Sequence, residues 1–172
     1  VVKTIGTGGD YSSIQAWNNA APANLVTDDK IWRGELISSF SGMSSFTIGG
    51  STSDATHYKI LTAASGYGFK DHADAATNPL RFDTSKGVGW SGGDDYGAGC
   101  VLNEAYARLV GLQIKLTTGT ATGIKIAAYN VLIDGCIVES AHDRARLLFN
   151  SAGYTVTLKN SVFYGRGETQ EN

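Results

Sequence analysis

The chain has 172 residues, of which 42% are hydrophobic, 17% are charged and 22 are glycine. This length and apolar content predict one domain, residues 1–172, with its own hydrophobic core. The formal net charge of −2 provides no broad positive field for nucleic acid or an anionic membrane, and no apolar run is long enough for a spanning helix.

The first 22 residues predict a strand followed by a short helix. Residues 1–5 are mostly β-branched, and the glycine-rich turn 6–10 ends them. Ser12 and Gln15 have the spacing of a capping box, and Pro22 ends the helix. The helix carries one apolar stripe, formed by Ile14, Trp17 and Ala21. We expect this stripe to cover one end of a β core, because so short a helix is marginal alone.

Residues 23–172 contain no further helix signal. Short β-rich pieces alternate with Gly, Ser, Asp and Asn turns, at 30–32, 45–48, 58–62, 80–82 and 87–90. No change in composition marks a linker, so this whole stretch is predicted to belong to the same domain.

The last third of the chain repeats. Residues 108–114, 132–138 and 157–163 align position by position, at intervals of 24 to 25 residues. Each segment has a large aliphatic residue, followed two places later by glycine or asparagine: Leu109 and Gly111, Ile133 and Gly135, Leu158 and Asn160. The inward-facing parity changes at that second position, which predicts a sharp bend in a left-handed backbone conformation.

A repeat of this length without helices predicts a right-handed parallel β-helix, an all-β solenoid that the N-terminal helix caps. Aligned residues of neighbouring coils would then stack about 4.8 Å apart. Val110, Asp134 and Lys159 would form an outward column with an exposed Asp134–Lys159 ion pair. Tyr106, Tyr129 and Tyr154 would form an aromatic ladder, either packed inside or exposed as a strip for sugar rings or a partner protein.

The opening residues carry a resemblance to a known group of proteins. Residues 4–17, TIGTGGDYSSIQAW, with Ala20-Ala21-Pro22 resemble the entry segment of right-handed parallel β-helix proteins of the pectin-lyase-like superfamily. Residues 55–58, 71–73 and 78–82 further resemble β-helix proteins of bacteriophages and environmental bacteria. The resemblance implies the β-helix fold over the whole chain. It leaves lyases, hydrolases, esterases, tailspikes and inert virion or adhesin modules as candidates.

An enzyme of this kind would need a cluster of acids. Polysaccharide hydrolysis uses two carboxylates roughly 5 to 10 Å apart, and the best candidates are Glu104, Glu139 and Asp143. These acids form no column at the repeat spacing, and no lyase or esterase motif is present. We therefore predict no catalytic residues and keep a polysaccharide lyase or glycoside hydrolase as the alternative.

Ligand contacts are predicted in two places. The three tyrosines of the ladder are one, and Arg144 is the other, because an arginine binds a sugar carboxylate in bidentate fashion. Cys100 and Cys136 have no metal-ligand spacing. No metal and no cofactor are predicted.

The polar tail after Gly165 is too short to cap a solenoid. We therefore expect that the chain continues, that another subunit covers this end, or that the domain is trimmed. The favoured function is a non-enzymatic structural or attachment module on a virion surface, as a tailspike, fibre or capsid decoration. Its partners would be other virion proteins or further copies in a homo-oligomer such as a trimer, with a host polysaccharide as ligand. A bacterial surface adhesin, also extracellular, is the third hypothesis.

Overall fold

The structure is a computed structural model that describes residues 1–72, 81–92, 98–117, 122–140, 147–149 and 153–165. Its one α-helix in the described residues is α1 (Ile14–Asn19), and Phe69–His72 form a 3₁₀ turn. The strands are β1 (Val2–Ile5), β2 (Trp32–Leu36), β3 (Phe40–Met43), β4 (Phe46–Gly49), β5 (Lys59–Ala63), β6 (Gly89–Gly92), β7 (Ala98–Asn103), β8 (Arg108–Val110), β9 (Gln113–Leu116), β10 (Thr122–Ile126), β11 (Val131–Asp134), β12 (Ile137–Ser140), β13 (Leu147–Phe149), β14 (Val156–Lys159) and β15 (Val162–Gly165).

The described strands form three sheets, and every pair is parallel. The first sheet has the order β1-β2-β5-β8-β11-β14, the second β3-β6-β9-β12-β15, and the third β4-β7-β10-β13. From β2 onward, successive strands join the first, second and third sheets in a fixed rotation. The prediction of an all-β chain is thus confirmed at the level of parallel sheets.

The predicted alignment of the three repeats is confirmed. Ile133 lies opposite Leu109 in β8 and opposite Leu158 in β14. The predicted bends are present as well, with positive φ of 66° at Gly111, 63° at Gly135 and 46° at Asn160. Because side chains other than Asn and Asp rarely adopt this conformation, residues at these positions are restricted by the backbone itself.

The outward column is also in register, since Asp134 pairs with Val110 on one side and Lys159 on the other. The predicted ion pair within it is wrong. Asp134 Oδ1 instead accepts a hydrogen bond from Asn160 Nδ2 at 2.9 Å, and no Asp134–Lys159 ion pair forms among the described residues. An exposed ion pair would contribute little here, because the cost of ordering the long lysine side chain offsets most of the Coulomb attraction.

The pieces at 45–48 and 58–62 match β4 and β5 to within one residue at each end, whereas those at 30–32 and 87–90 overlap only the first residues of β2 and β6. The piece at 80–82 is not a strand at its described residues, since Arg81 and Phe82 lie outside any strand. The backbone N–H of Phe82 donates instead to side chains of the second sheet, Glu139 and Tyr164. Composition alone did not predict β3 or β7.

The helix begins one residue later than expected. Ser13, not Ser12, caps it by accepting from the Ala16 N–H at 3.1 Å. The Gln15 side chain does not reach back to the cap. It donates to Asn19 Oδ1 and accepts from the Thr47 N–H, so the capping-box prediction is wrong.

The apolar stripe of the helix packs as predicted. Ile14 and Trp17 are fully buried, and Ala21, which lies just beyond the helix end, is partly buried against the same core. The helix contacts β1 and β4, and the Trp17 carbonyl accepts from Trp32 Nε1 at 3.2 Å. The stripe therefore covers the β core at its N-terminal end. No helix among the described residues is long and apolar enough to cross a membrane.

Candidate functional site

A groove of about 690 Å³ lies on the outer face of the first sheet. Strands β2, β5, β8 and β11 contribute to one side of it, together with the bends at Gly111, Gly135 and Asn160. Residues between Ala63 and Asp71, which follow β5, line the other side. The groove therefore lies between a sheet face and the segment that follows β5.

Strand alternation and register explain which side chains reach the groove. Glu35, Thr62, Val110 and Asp134 occupy paired positions on four neighbouring strands, so their side chains leave the same face of the sheet. Asp134 and Val110 were predicted from the sequence as outward residues, whereas Glu35 was not. Its only sequence signal is its place in the alternation of β2, where Trp32, Gly34 and Leu36 are buried.

Three carboxylate groups line the groove, and in each of them one oxygen accepts a hydrogen bond from the protein. Glu35 Oε1 accepts from Arg33 Nε at 2.7 Å, and Asp134 Oδ1 accepts from Asn160. Asp71 Oδ2 accepts from the Gly68 N–H at 2.9 Å. Among the described residues no hydrogen bond engages the second oxygen of any of the three. Each carboxylate is thus oriented and still able to accept a hydrogen bond.

The acid Glu104 of the enzyme alternative is part of the interior, and only 3% of it is exposed. Its Oε2 lies 3.1 Å from Lys59 Nζ and accepts from the Ser51 N–H. Lys59 also donates to the Gly49 carbonyl and to Asn18 Oδ1. Burial raises the pKa of Glu104 against the attraction of Lys59, and burial lowers the pKa of Lys59. This network joins the helix to strands of two sheets and leaves Glu104 no access to a substrate.

Glu139, the second of those acids, lies in a different place on the second sheet. Its Oε2 accepts from Tyr164 Oη at 2.6 Å and from the Phe82 N–H at 3.2 Å, and its Oε1 lies 3.3 Å from Lys115 Nζ. Burial opposes ionisation of Glu139, but the hydrogen bonds from Tyr164 and Lys115 prevail and lower its pKa. Burial and the contact with Glu139 raise the pKa of Tyr164 to about 12.

Glu104 and Glu139 therefore serve separate networks and do not form a catalytic pair. The third predicted acid, Asp143, lies outside the described residues, and so does the predicted ligand residue Arg144.

The tyrosine ladder is reduced to a pair. The rings of Tyr129 and Tyr154 meet edge to face, with centroids 5.0 Å apart, and 52% of Tyr129 is exposed. Tyr106 is offset by one residue from the position that would align with Tyr129, and it aligns with Asn130 instead. Its φ of 60° matches the 57° of Asn130, and its N–H donates to the Tyr129 carbonyl. The similar spacing in sequence was misleading here, because the interval from Tyr106 to Tyr129 is 23 residues, one residue shorter than the structural repeat at that point.

Both cysteines are free and buried. Burial raises the pKa of the Cys100 thiol well above its usual range and that of Cys136 to about 12, so both behave as small apolar side chains. Within the described ranges, no group of three or more His, Cys, Asp or Glu residues could hold a metal ion.

His57 joins two surface loops near the first sheet. Its Nε2 lies 2.8 Å from Asp29 Oδ1, and its Nδ1 lies 2.9 Å from Asp54 Oδ1 and 3.0 Å from Thr56 Oγ1. The hydrogen bond to Asp29 is the largest cause of the raised pKa of His57. Burial opposes that rise, and the hydrogen bond to Asp54 adds to it. The imidazolium thus ties residues 24–30 to residues 52–58.

We expect the His57 contact to make stability depend on pH. Because the folded-state pKa is raised, the stabilisation is complete below about pH 6.5, the pKa of an unperturbed histidine, and is lost as the pH rises through the folded-state value. The His57→Gln variant should lack this loss. Urea midpoints measured from about pH 5 to about pH 9 test it.

Thr27→Val is the matched control, since Thr27 is an exposed residue of the loop that holds Asp29 and carries no ionisable group. It should keep the wild-type pH profile. A His57→Gln profile parallel to that of the wild type would contradict the expectation.

Comparison with protein-family models gives no match for this chain, and comparison with curated proteins or with solved structures gives none either.

Proposed function

We propose that the three sheets are the faces of a right-handed parallel β-helix that α1 caps at its N-terminal end. The fixed rotation of strands among the sheets supports this, as does the parallel pairing of residues 24 to 25 positions apart. Parallel strands of one sheet are joined by right-handed crossovers in nearly all proteins, which supports the handedness.

On this scaffold we propose a non-enzymatic structural or attachment module on a virion surface, of the tailspike, fibre or capsid-decoration kind, that contacts a host glycan. One observation carries the non-enzymatic part. Glu104 is held in a buried pair with Lys59, and Glu139 in a separate, partly buried network with Lys115 and Tyr164. Acids fixed in this way stabilise the fold, and neither of these two is free to act as a proton donor to a bound substrate. The resemblance of residues 55–58, 71–73 and 78–82 to β-helix proteins of bacteriophages and environmental bacteria supports the location.

A carbohydrate-active enzyme is the second candidate, and the groove favours it. Glu35, Asp71 and Asp134 are carboxylates on one concave surface, as glycoside hydrolysis requires. Each of them, however, is held by a separate donor of the protein, namely Arg33, the Gly68 N–H and Asn160, and no hydrogen bond joins two of the three.

A cleavage assay separates the two candidates. Purified protein is incubated with neutral and acidic polysaccharides, and reducing ends and unsaturated products are measured against heat-inactivated protein. We expect no product. Product that disappears in a folded Asp134→Asn, Glu139→Gln or Asp143→Asn variant would replace our proposal with the enzyme.

Labelling tests the location independently. Gold-labelled antibodies to the protein should decorate purified virus particles from cultures that carry the gene. Label on bacterial envelopes alone would indicate the adhesin instead.

A further inference from the structure

We infer that the groove on the first sheet binds an uncharged oligosaccharide. This inference rests on the proposed attachment function and specifies the class of ligand and the residues that hold it. Three features of the groove support the inference: its length, its carboxylate oxygens without a protein partner, and its balance of charge.

The groove is long enough for a chain of sugars. Its lining runs from Arg33 and Glu35 on β2 to Asn160 after β14, which is four strand spacings along the sheet. At about 4.8 Å per spacing, this is about 19 Å. The volume of about 690 Å³ lies within the range of small-molecule sites, about 300 to 1,000 Å³. A single ring would leave most of this length unfilled.

The polar groups suit hydroxyl donors. Glu35, Asp71 and Asp134 each offer one oxygen without a protein partner among the described residues, while the other oxygen fixes the orientation. Oriented acceptors bind a hydroxyl without first losing side-chain freedom. Hydrogen bonds to an ionised acceptor are also stronger than neutral ones. Sugars present such donors at every ring.

The apolar groups suit the C–H faces of sugar rings. Ile60, Val110, Ile137 and Val162 line the same groove, and Gly111 and Gly135 add backbone without side chains. A Cβ atom at either glycine would meet no close contact, so the lack of side chains at these two positions leaves the bottom of the groove accessible. Polar and apolar side chains thus line the same groove.

The charge balance selects an uncharged ligand. Three carboxylates face two cations in the lining, and Arg33 is already paired with Glu35. Lys70 is then the one basic side chain of the described lining without a carboxylate partner. An acidic sugar would meet net repulsion from Asp71 and Asp134.

The test is binding of a defined panel by calorimetry and on a printed array. The panel contains neutral tetrasaccharides of glucose, galactose, mannose and N-acetylglucosamine, and acidic tetrasaccharides of galacturonic acid. We expect at least one neutral member to bind and the acidic members not to bind. Asp134→Ala should weaken that binding about tenfold or more, because a hydrogen bond to a charged group is lost. Val110→Trp should abolish it by filling the floor while leaving the charges unchanged.

Lys159→Ala is the matched control. Lys159 is the register partner of Asp134 but does not line the groove, so its removal should change the affinity less than twofold. Circular dichroism and urea midpoints confirm that each variant is folded.

The inference is wrong if no panel member binds, if only acidic members bind, or if binding survives both Asp134→Ala and Val110→Trp. These failures leave the virion-surface proposal standing when antibodies still label the particles. Conversely, cleavage of a bound neutral sugar would overturn the non-enzymatic proposal and keep the groove assignment.

Discussion

Replacing Lys59 with alanine should lower the free energy of unfolding by about 3 to 5 kcal/mol, the usual cost of breaking a buried ion pair. Lys59 and Glu104 are 1% and 3% exposed, and their charged atoms lie 3.1 Å apart. The alanine variant would leave Glu104 buried without a counter-charge. It would also leave the Gly49 carbonyl and Asn18 Oδ1 without the donor that they share. Urea unfolding followed by tryptophan fluorescence measures the change.

Two further variants test the mechanism of that loss. Lys59→Met combined with Glu104→Leu removes both charges, so it should cost less than Lys59→Ala alone. Lys3→Ala removes a surface pair, Lys3–Asp10 at 3.4 Å, and should cost about 1 kcal/mol or less. If Lys59→Ala cost no more than Lys3→Ala, the buried pair would not stabilise the fold.

Leu109→Ala should destabilise the protein by about 2 to 5 kcal/mol, as expected for truncating a fully buried leucine. Leu109 is 0% exposed and lies between Leu61 of β5 and Ile133 of β11, both also 0% exposed. The truncated side chain would leave a cavity within the core, because paired strands on both sides prevent the backbone from closing it. Equilibrium urea unfolding gives the free-energy difference.

Leu158→Ala is the control within the same column. Leu158 pairs with Ile133 in register, but it is 46% exposed, because β14 has no further strand beyond it among the described residues. Its truncation should cost clearly less than that of Leu109. Equal costs for the two variants would show that position in the column does not determine burial energy.

The two described ends of the β core differ in how well they are covered. At the N-terminal end, Ile14 and Trp17 cover the core, and both are fully buried. At the other described end, the inward-facing Leu158 remains half exposed. An edge strand with exposed apolar residues is a surface on which another chain pairs readily. A homo-oligomer such as the predicted trimer stays a proposal, and sedimentation equilibrium measures its mass.

Local sequence predicted the elements whose signal is local. The bends at Gly111, Gly135 and Asn160 were predicted because few residues adopt a left-handed backbone, so residue identity alone marks them. The stacked column was predicted because burial on every strand demands an aliphatic residue at a constant interval. The prediction of the capping box was wrong, because the Gln15 side chain accepts a hydrogen bond from the N–H of Thr47 in β4, a residue remote in sequence.

The groove was predicted less well than the fold, because its parts come from distant segments. Asp134 was identified as an outward residue, but Glu35 and Asp71 join it only because β2, β8 and β11 lie in one sheet and the segment after β5 folds alongside. For the same reason, the partners of Glu104 and Glu139, the acids of the alternative hypothesis, were not predicted. Glu104 pairs with Lys59 and Glu139 with Tyr164, and both partners are too far away in the sequence for a local pattern to predict them.

The sequence by itself determined the repeat, its bends, the inward column and the N-terminal strand and helix, because each depends on contacts or conformations that recur at short, regular intervals. Tertiary structure alone decided which charges pair, which tyrosines meet and where a groove opens. Those outcomes depend on distances between side chains far apart in the chain, and such distances exist only once the parallel strands have set their register.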